Sequence, residues 1–142
     1  MNLRTCTSRD RDAIITLWNA CALTRPWNDP GLDFDRKLAL DDDLFLVGVL
    51  EANPESLIAT VMVGYDGHRG WVNYLAVSPD HQGCGHGRAL MQAAEAHLVA
   101  RGCPKLNLQV RTGNEAVLAF YAALGYTVDD VVSLGKRLIA DT

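Results

Sequence analysis

The 142-residue chain has little of what marks several large classes of protein. Its four cysteines, Cys6, Cys21, Cys84 and Cys103, form no C-x-x-C pair and follow no zinc-site spacing. That argues against a disulfide scaffold or a metal site and suggests reduced thiols in a cytoplasmic protein. No apolar run approaches the ~18 residues of a membrane span. The opening Met-Asn-Leu-Arg-Thr-Cys-Thr-Ser has no apolar core of a secretory signal, so no membrane partner is expected. Positive charge is in deficit: 13 Lys and Arg against 17 Asp and Glu leave a net charge of −4. Without a general positive field, nucleic acid is not an expected partner. No repeat, low-complexity tract or linker divides the chain, so it reads as one domain, residues 1–142.

What is present is a globular composition, 49% hydrophobic and 21% charged, enough to build a packed core. Residues 2–6 alternate as a first strand. Ser8 is a candidate cap for a helix that puts Ile14, Leu17, Trp18 and Cys21 on one face. Arg25-Pro26-Trp27-Asn28-Asp29-Pro30-Gly31 breaks that helix, and Asp33 is a candidate cap for a second one, ending near Asp42. Leu44–Leu50 is a continuous apolar run, as in a strand covered on both faces. Leu57–Tyr65 and Trp71–Val77 continue it as an antiparallel meander. A glycine-rich loop leads into a helix that ends near Arg101, with Gly102 as its stop. Lys105–Val110 reads as a strand, Asn114 caps a further helix, and Tyr126–Val132 and Ser133–Ile139 read as two closing strands. The fold class is α+β: a mixed, mostly antiparallel sheet of about six to seven strands, with helices on both faces.

The strongest chemical signal is Ser78-Pro79-Asp80-His81-Gln82-Gly83-Cys84-Gly85-His86-Gly87-Arg88. Glycine lets a backbone approach a ligand closely. A helix start exposes unpaired N–H groups with partial positive charge. Together they can cradle a phosphate or pyrophosphate, and Arg88 in the first turn can add a charged contact. The glycines alone fit a tight strand-to-helix turn equally well. The spacing is neither G-x-G-x-x-G nor G-x-x-x-x-G-K-[ST], so dinucleotide-fold and NTPase loops are excluded.

Gln82, Gly85 and Gly87 do form Q-x-x-G-x-G. With Leu75-Ala76-Val77-Ser78-Pro79 ahead of it, and Asn114, Phe120-Tyr121 and Leu124-Gly125-Tyr126 behind, the chain resembles the GNAT superfamily of N-acetyltransferases. Arg25–Pro30, Gly64–Gly70, Arg101–Lys105 and Ser133–Leu138 further resemble one small bacterial group within it. The resemblance implies the GNAT fold over nearly the whole chain. It also implies acetyl-CoA as cosubstrate, no metal, and transfer of an acetyl group to a primary amine, on a small molecule or a protein, by direct attack. A non-catalytic acyl-CoA binder or sensor on the same fold is the alternative.

By that resemblance the backbone of Gln82, Gly83, Cys84, Gly85, His86, Gly87 and Arg88 holds the CoA pyrophosphate. Leu75, Ala76 and Val77 pair with pantetheine through main-chain groups, and Asn114 reaches CoA while also suiting a helix cap. Tyr121 matches a tyrosine that protonates the departing thiolate. The position where many relatives carry a glutamate base is Asn73, which can hold a water but cannot take a proton. Asp66, His68 and His81 are other candidate bases. With no obvious carboxylate base, an amine of low pKa, or a water relay, is the better match. Arg25, Trp27, Asn28 and Asp29, with His68, form the candidate acceptor side: Trp27 as an apolar wall, Arg25 for a carboxylate, Asp29 for an ammonium. A partner subunit in a homodimer is another place from which acceptor choice can come.

Overall fold

Alternating and continuous apolar runs in the first half of the chain build an antiparallel meander. The computed structural model describes all 142 residues. Strands β1 (Asn2–Thr5), β2 (Phe45–Val49), β3 (Leu57–Tyr65) and β4 (Gly70–Val77) pair antiparallel in chain order, and β5 (Leu106–Leu108) joins β4 in parallel. Helices α1 (Arg11–Ala20) and α2 (Pro30–Leu40) supply the core on one side of the sheet, with Ile14, Leu17, Trp18 and Phe34 against Phe45, Val47 and Ala76. Helices α3 (His86–Ala100) and α4 (Glu115–Ala123) supply the other, where Leu90, Met91, Leu98 and Tyr121 meet Leu46, Val61, Val63 and Val72. Every residue of β2 is buried, as its uninterrupted apolar sequence requires. Each such side chain contributes roughly 1.5–3 kcal/mol by leaving water.

The sheet has five strands, not six to seven. The two closing strands expected over 126–139 are absent, and that stretch has no ladder. A strand needs a partner edge, and β5 offers only three residues. The segment lies along β5 through side chains alone: Lys105 Nζ to Asp129 at 2.8 Å, Asn107 Nδ2 to Asp129 at 3.3 Å, and Gln109 Nε2 to Ser133 Oγ at 2.5 Å. Beyond Tyr126, which packs against the core, its large apolar residues stay outside it, with Val128 89% and Leu134 90% exposed.

Two helix starts also differ from the sequence reading. The turn ahead of α1 begins at Thr7, whose N–H donates to Asp10 Oδ2 at 2.8 Å, rather than at Ser8. The cap of α2 is Asp29, which accepts from the Gly31 N–H at 2.7 Å with Pro30 opening the helix. Asp33, relieved of capping, reaches across to the sheet. It accepts from the Tyr74 hydroxyl at 2.6 Å, Asn28 Nδ2 at 2.5 Å and Arg36 Nη2 at 2.7 Å. Burial pushes its carboxyl up, but the hydrogen bonds from Tyr74, Arg36 and Asn28 outweigh burial and hold it below the usual carboxylate range.

β4 carries a bulge. Ala76 faces Thr60 and Asn73 faces Met62, so Tyr74 and Leu75 together oppose Val61. Tyr74 takes a left-handed φ of 50°, a strained backbone for a tyrosine. Thr60, fully buried, accepts from Trp18 Nε1 at 3.0 Å and donates to the Tyr74 carbonyl at 2.9 Å. The Tyr74 ring stacks on Trp18 at 3.8 Å. Asn73 shares a face with Met62, and Tyr74 packs in the same core as Met62. The bulge thus puts two consecutive side chains on the α1–α2 side.

Thr60→Val keeps the volume and strands both partners, so urea unfolding should register a loss of about 1–3 kcal/mol. Asp33→Ala should cost about 2–3 kcal/mol at neutral pH. A depressed carboxyl stabilises above its unfolded value, near 4, and the benefit is lost as pH falls through the lower native value. The stability gap between Asp33→Ala and the native protein should therefore narrow in acid unfolding curves below about pH 4.

Candidate active site

The parallel strands β4 and β5 are paired only at Gly70–Leu106, Trp71–Asn107 and Val72–Leu108. Beyond Val72 they part, and Asn73–Val77 have no ladder partner on that side. This free edge of β4 leads into the glycine loop. α3 starts at His86 behind Gly85, and no side chain caps it. Its first intrahelical bond runs from the Ala89 N–H to the Gly85 carbonyl at 3.1 Å. The N–H groups of His86, Gly87 and Arg88 are thus left without helical acceptors.

Gly85 has φ 83°, and a Cβ added there would meet nothing within 4 Å, so the cradle is open. At Gly87 a Cβ would fall 3.0 Å from the Phe120 ring, so the approach of α4 to α3 requires glycine. Gln82 Nε2 donates to the Val77 carbonyl at 3.0 Å, an oxygen that Cys21 Sγ also approaches at 3.2 Å. Gln82 therefore ties the loop to the end of β4. Cys84 is exposed and its thiol reaches only the Gln82 carbonyl, at 3.7 Å. Two enclosed polar atoms lack partners: His81 Nδ1 at the loop and Asn107 Oδ1 on β5. A strand edge without a partner, an uncapped helix start and an open glycine cradle together fit a long ligand that carries a pyrophosphate.

Leu75 and Val77 pack toward the α3–α4 core, while Ala76 is buried in the opposite one. Asn114 caps α4, its Oδ1 accepting from the Val117 N–H at 3.3 Å. Tyr121 is 8% exposed and packs edge-on to Phe120 and Tyr126, with centroids 5.0 and 5.7 Å away. Tyr126 donates to Glu95 Oε2 at 2.6 Å. Burial pushes the Tyr121 phenol up to about 12, so it is uncharged at neutral pH.

On the acceptor side the structure gathers some candidates and disperses others. Asn28 Nδ2 lies 3.3 Å from the Tyr74 hydroxyl, beside the exposed Asn73. Trp27 is 51% exposed, with the Arg111 guanidinium 6.0 Å from its ring. The 25–30 connection therefore touches both β4 and the exit of β5. Arg25 Nη1 donates to the Ala22 and Thr24 carbonyls, each at 2.9 Å, and Asp29 caps α2, so both are engaged within the fold. His68 sits in the β3–β4 turn, where Asp66 Oδ1 accepts from the His68 and Arg69 N–H groups at 2.8 and 2.7 Å. The backbone N–H groups of Arg69 and His68 hold the Asp66 carboxyl below its ordinary value. That turn is five residues from Asn73, roughly 16 Å along an extended strand. Tyr74, Asp33 and Thr60 were missed by sequence reasoning. Asp33 shows only as a cap candidate, and no local pattern marks a bulge inside an apolar strand.

The acetyltransferase (GNAT) family model matches residues 12–126. An acetyltransferase of Pectobacterium atrosepticum is 51% identical over 141 residues, covering 99% of this chain and 98% of the relative. Among solved structures, Ard1 from Thermoplasma volcanium superposes with a TM-score of 0.75 at 21% identity, over 90% of this chain and 83% of that one. An aminoglycoside antibiotic 6'-N-acetyltransferase from Acinetobacter haemolyticus gives 0.70 at 18% identity, over 98% and 100%. The structural likenesses speak for the fold, and the family match with the close relative for the lineage: the chain belongs to the acetyltransferase (GNAT) family.

Proposed function

We propose that this N-acetyltransferase moves an acetyl group from acetyl-CoA to a primary amine by direct attack within the β4–β5 cleft. The observation that carries the reading is the β4 edge from Asn73 to Val77, without a strand partner on the β5 side, leading into the uncapped start of α3. When bound, acetyl-CoA supplies the acetyl group as a thioester. The N–H groups of His86, Gly87 and Arg88 bind the pyrophosphate, with the Arg88 guanidinium adding charge. The backbone of Leu75, Ala76 and Val77 aligns the pantetheine arm, and Asn114, besides capping α4, borders its path. This alignment lets proximity carry much of the rate.

Tyr121 points its chemistry at the leaving sulfur. A phenol near 12 keeps its proton at neutral pH. Tyr121 therefore meets the departing thiolate as a neutral hydrogen-bond donor that stabilises the charge building on sulfur. The proton balance then closes with the proton lost by the amine. Asn73, exposed beside the bulge, orients a water that takes that proton. An α-amino group, neutral in roughly one molecule of six to ten at pH 7, needs less help than a lysine amine and is the preferred acceptor class. Four unpaired thiols support a cytoplasmic setting, and the segment resemblances support the small bacterial group.

Gly85→Glu places a bulky anion in the cradle at a positive φ. Calorimetry should show CoA affinity reduced at least a hundredfold, and retained affinity would remove the loop from the site. Tyr121→Phe should lower kcat for thiol release by about ten- to a hundredfold. The KM for acetyl-CoA should stay within about threefold, because the ring and its packing remain.

A further inference from the structure

Between α2 and residues 135–141 lies an open cleft of about 600 Å³, lined by Asn28, Asp33, Arg36, Lys136, Arg137 and Asp141 among others. Its inner wall belongs to the acceptor side, because Asn28 and Asp33 both hydrogen-bond the Tyr74 hydroxyl next to Asn73. Its outer wall is held in place. The Asp29 N–H donates to the Asp141 carbonyl at 2.7 Å, and Arg36 grips the Asp141 carboxylate at 2.8 and 3.2 Å. Asp141 is 6% exposed, so the tail is anchored where the α1–α2 connection meets α2.

The charges of this cleft do not cancel. Its two carboxylates, Asp33 and Asp141, share the single guanidinium of Arg36, which leaves one negative charge at the inner wall. Lys136 and Arg137, exposed on the rim, have no ion pair within the protein. A chain of net charge −4 thus presents two cations without ion-pair partners at this cleft, whose three cations outnumber its two carboxylates by one. Arg25, whose guanidinium is held by the Ala22 and Thr24 carbonyls of the turn after α1, and Asp29, the cap of α2, are both tied into the local backbone. We infer that this cleft selects acceptor amines that also carry an anionic group, with Lys136 and Arg137 binding the anion while the amine lies toward Asn73 and Tyr74. The inference rests on the transfer reaction proposed above. The shared ligand chemistry is a compact anion, a carboxylate or a phosphate.

The test uses the full-length protein saturated with acetyl-CoA and pairs of acceptors with and without the anion, with kcat/KM expressed per neutral amine because the anion also shifts the amine pKa. α-Amino acids, β-alanine, 4-aminobutyrate and dipeptides are each compared with their carboxamides, and phosphoethanolamine with ethanolamine. The first pairs read a carboxylate and the last a phosphate. For at least one pair, kcat/KM for the anionic member should exceed its neutral partner tenfold or more. Lys136→Ala/Arg137→Ala should bring that ratio to about one through KM, and Lys136→Glu/Arg137→Glu should invert it. Equilibrium binding of the same pairs to the CoA-loaded protein reads the same ratio whether or not turnover follows. A ratio near one in the native protein for every pair, or a preference that survives both double variants, overturns the inference. Loss of CoA binding or of turnover on all amines would strike the transfer reaction, while the binding ratio still judges the cleft.

Discussion

One buried hydroxyl holds the centre of this protein together. Thr60 Oγ1 accepts from the Trp18 indole and donates to the Tyr74 carbonyl. It lets β4 carry two residues where β3 has one. A bulge in mid-sheet interrupts the ladder and strains the chain, and it persists only where its surroundings over-determine it. Here Trp18 stacks on the Tyr74 ring, Thr60 satisfies the Tyr74 carbonyl, and Asp33 anchors the Tyr74 hydroxyl. Helices α1 and α2 each contribute one of these restraints, and both sides of the site take their positions from the result.

The two sides face different demands. The cosubstrate side is built from backbone: an unpaired strand edge and an uncapped helix start. Such a surface can bind a polyanion in a chain of net charge −4, because its attraction is local and dipolar. The acceptor side is built from side chains in a hydrogen-bonded network of Asn28, Asp33, Tyr74, Arg36 and Asp141. In the proposed reaction, selectivity there follows from which charges remain unpaired once that network is satisfied. A phenol kept neutral by burial, Tyr121, stands between helix packing and chemistry.

The parts legible in the sequence were those with short-range causes. The meander over β2, β3 and β4 follows from apolar runs broken by Asn53-Pro54 and Asp66-Gly67, the loop from its glycines, and the α4 cap from Asn114. The closing strands over 126–139 were misread because β-branched alternation states a preference, not a partner, and β5 is too short to supply one. Asp33 looked like a cap by position, yet Asp29 with Pro30 begins α2 first, which frees Asp33 for the sheet.

By itself, the sequence determined the order of elements, the glycine cradle and the family to which those motifs point. All three are local, since periodicity, turn residues and helix starts are set by neighbours a few positions apart. Tertiary structure alone decided that β4 bulges at Tyr74, that Arg36 holds Asp141 against α2, and that Lys136 and Arg137 remain without ion pairs beside the Asp33 network. These depend on partners 14 to 105 residues apart, as from Thr60 to Tyr74 and from Arg36 to Asp141. A charge or hydroxyl acquires its role from whichever partner packing brings to it, and no local pattern carries that information.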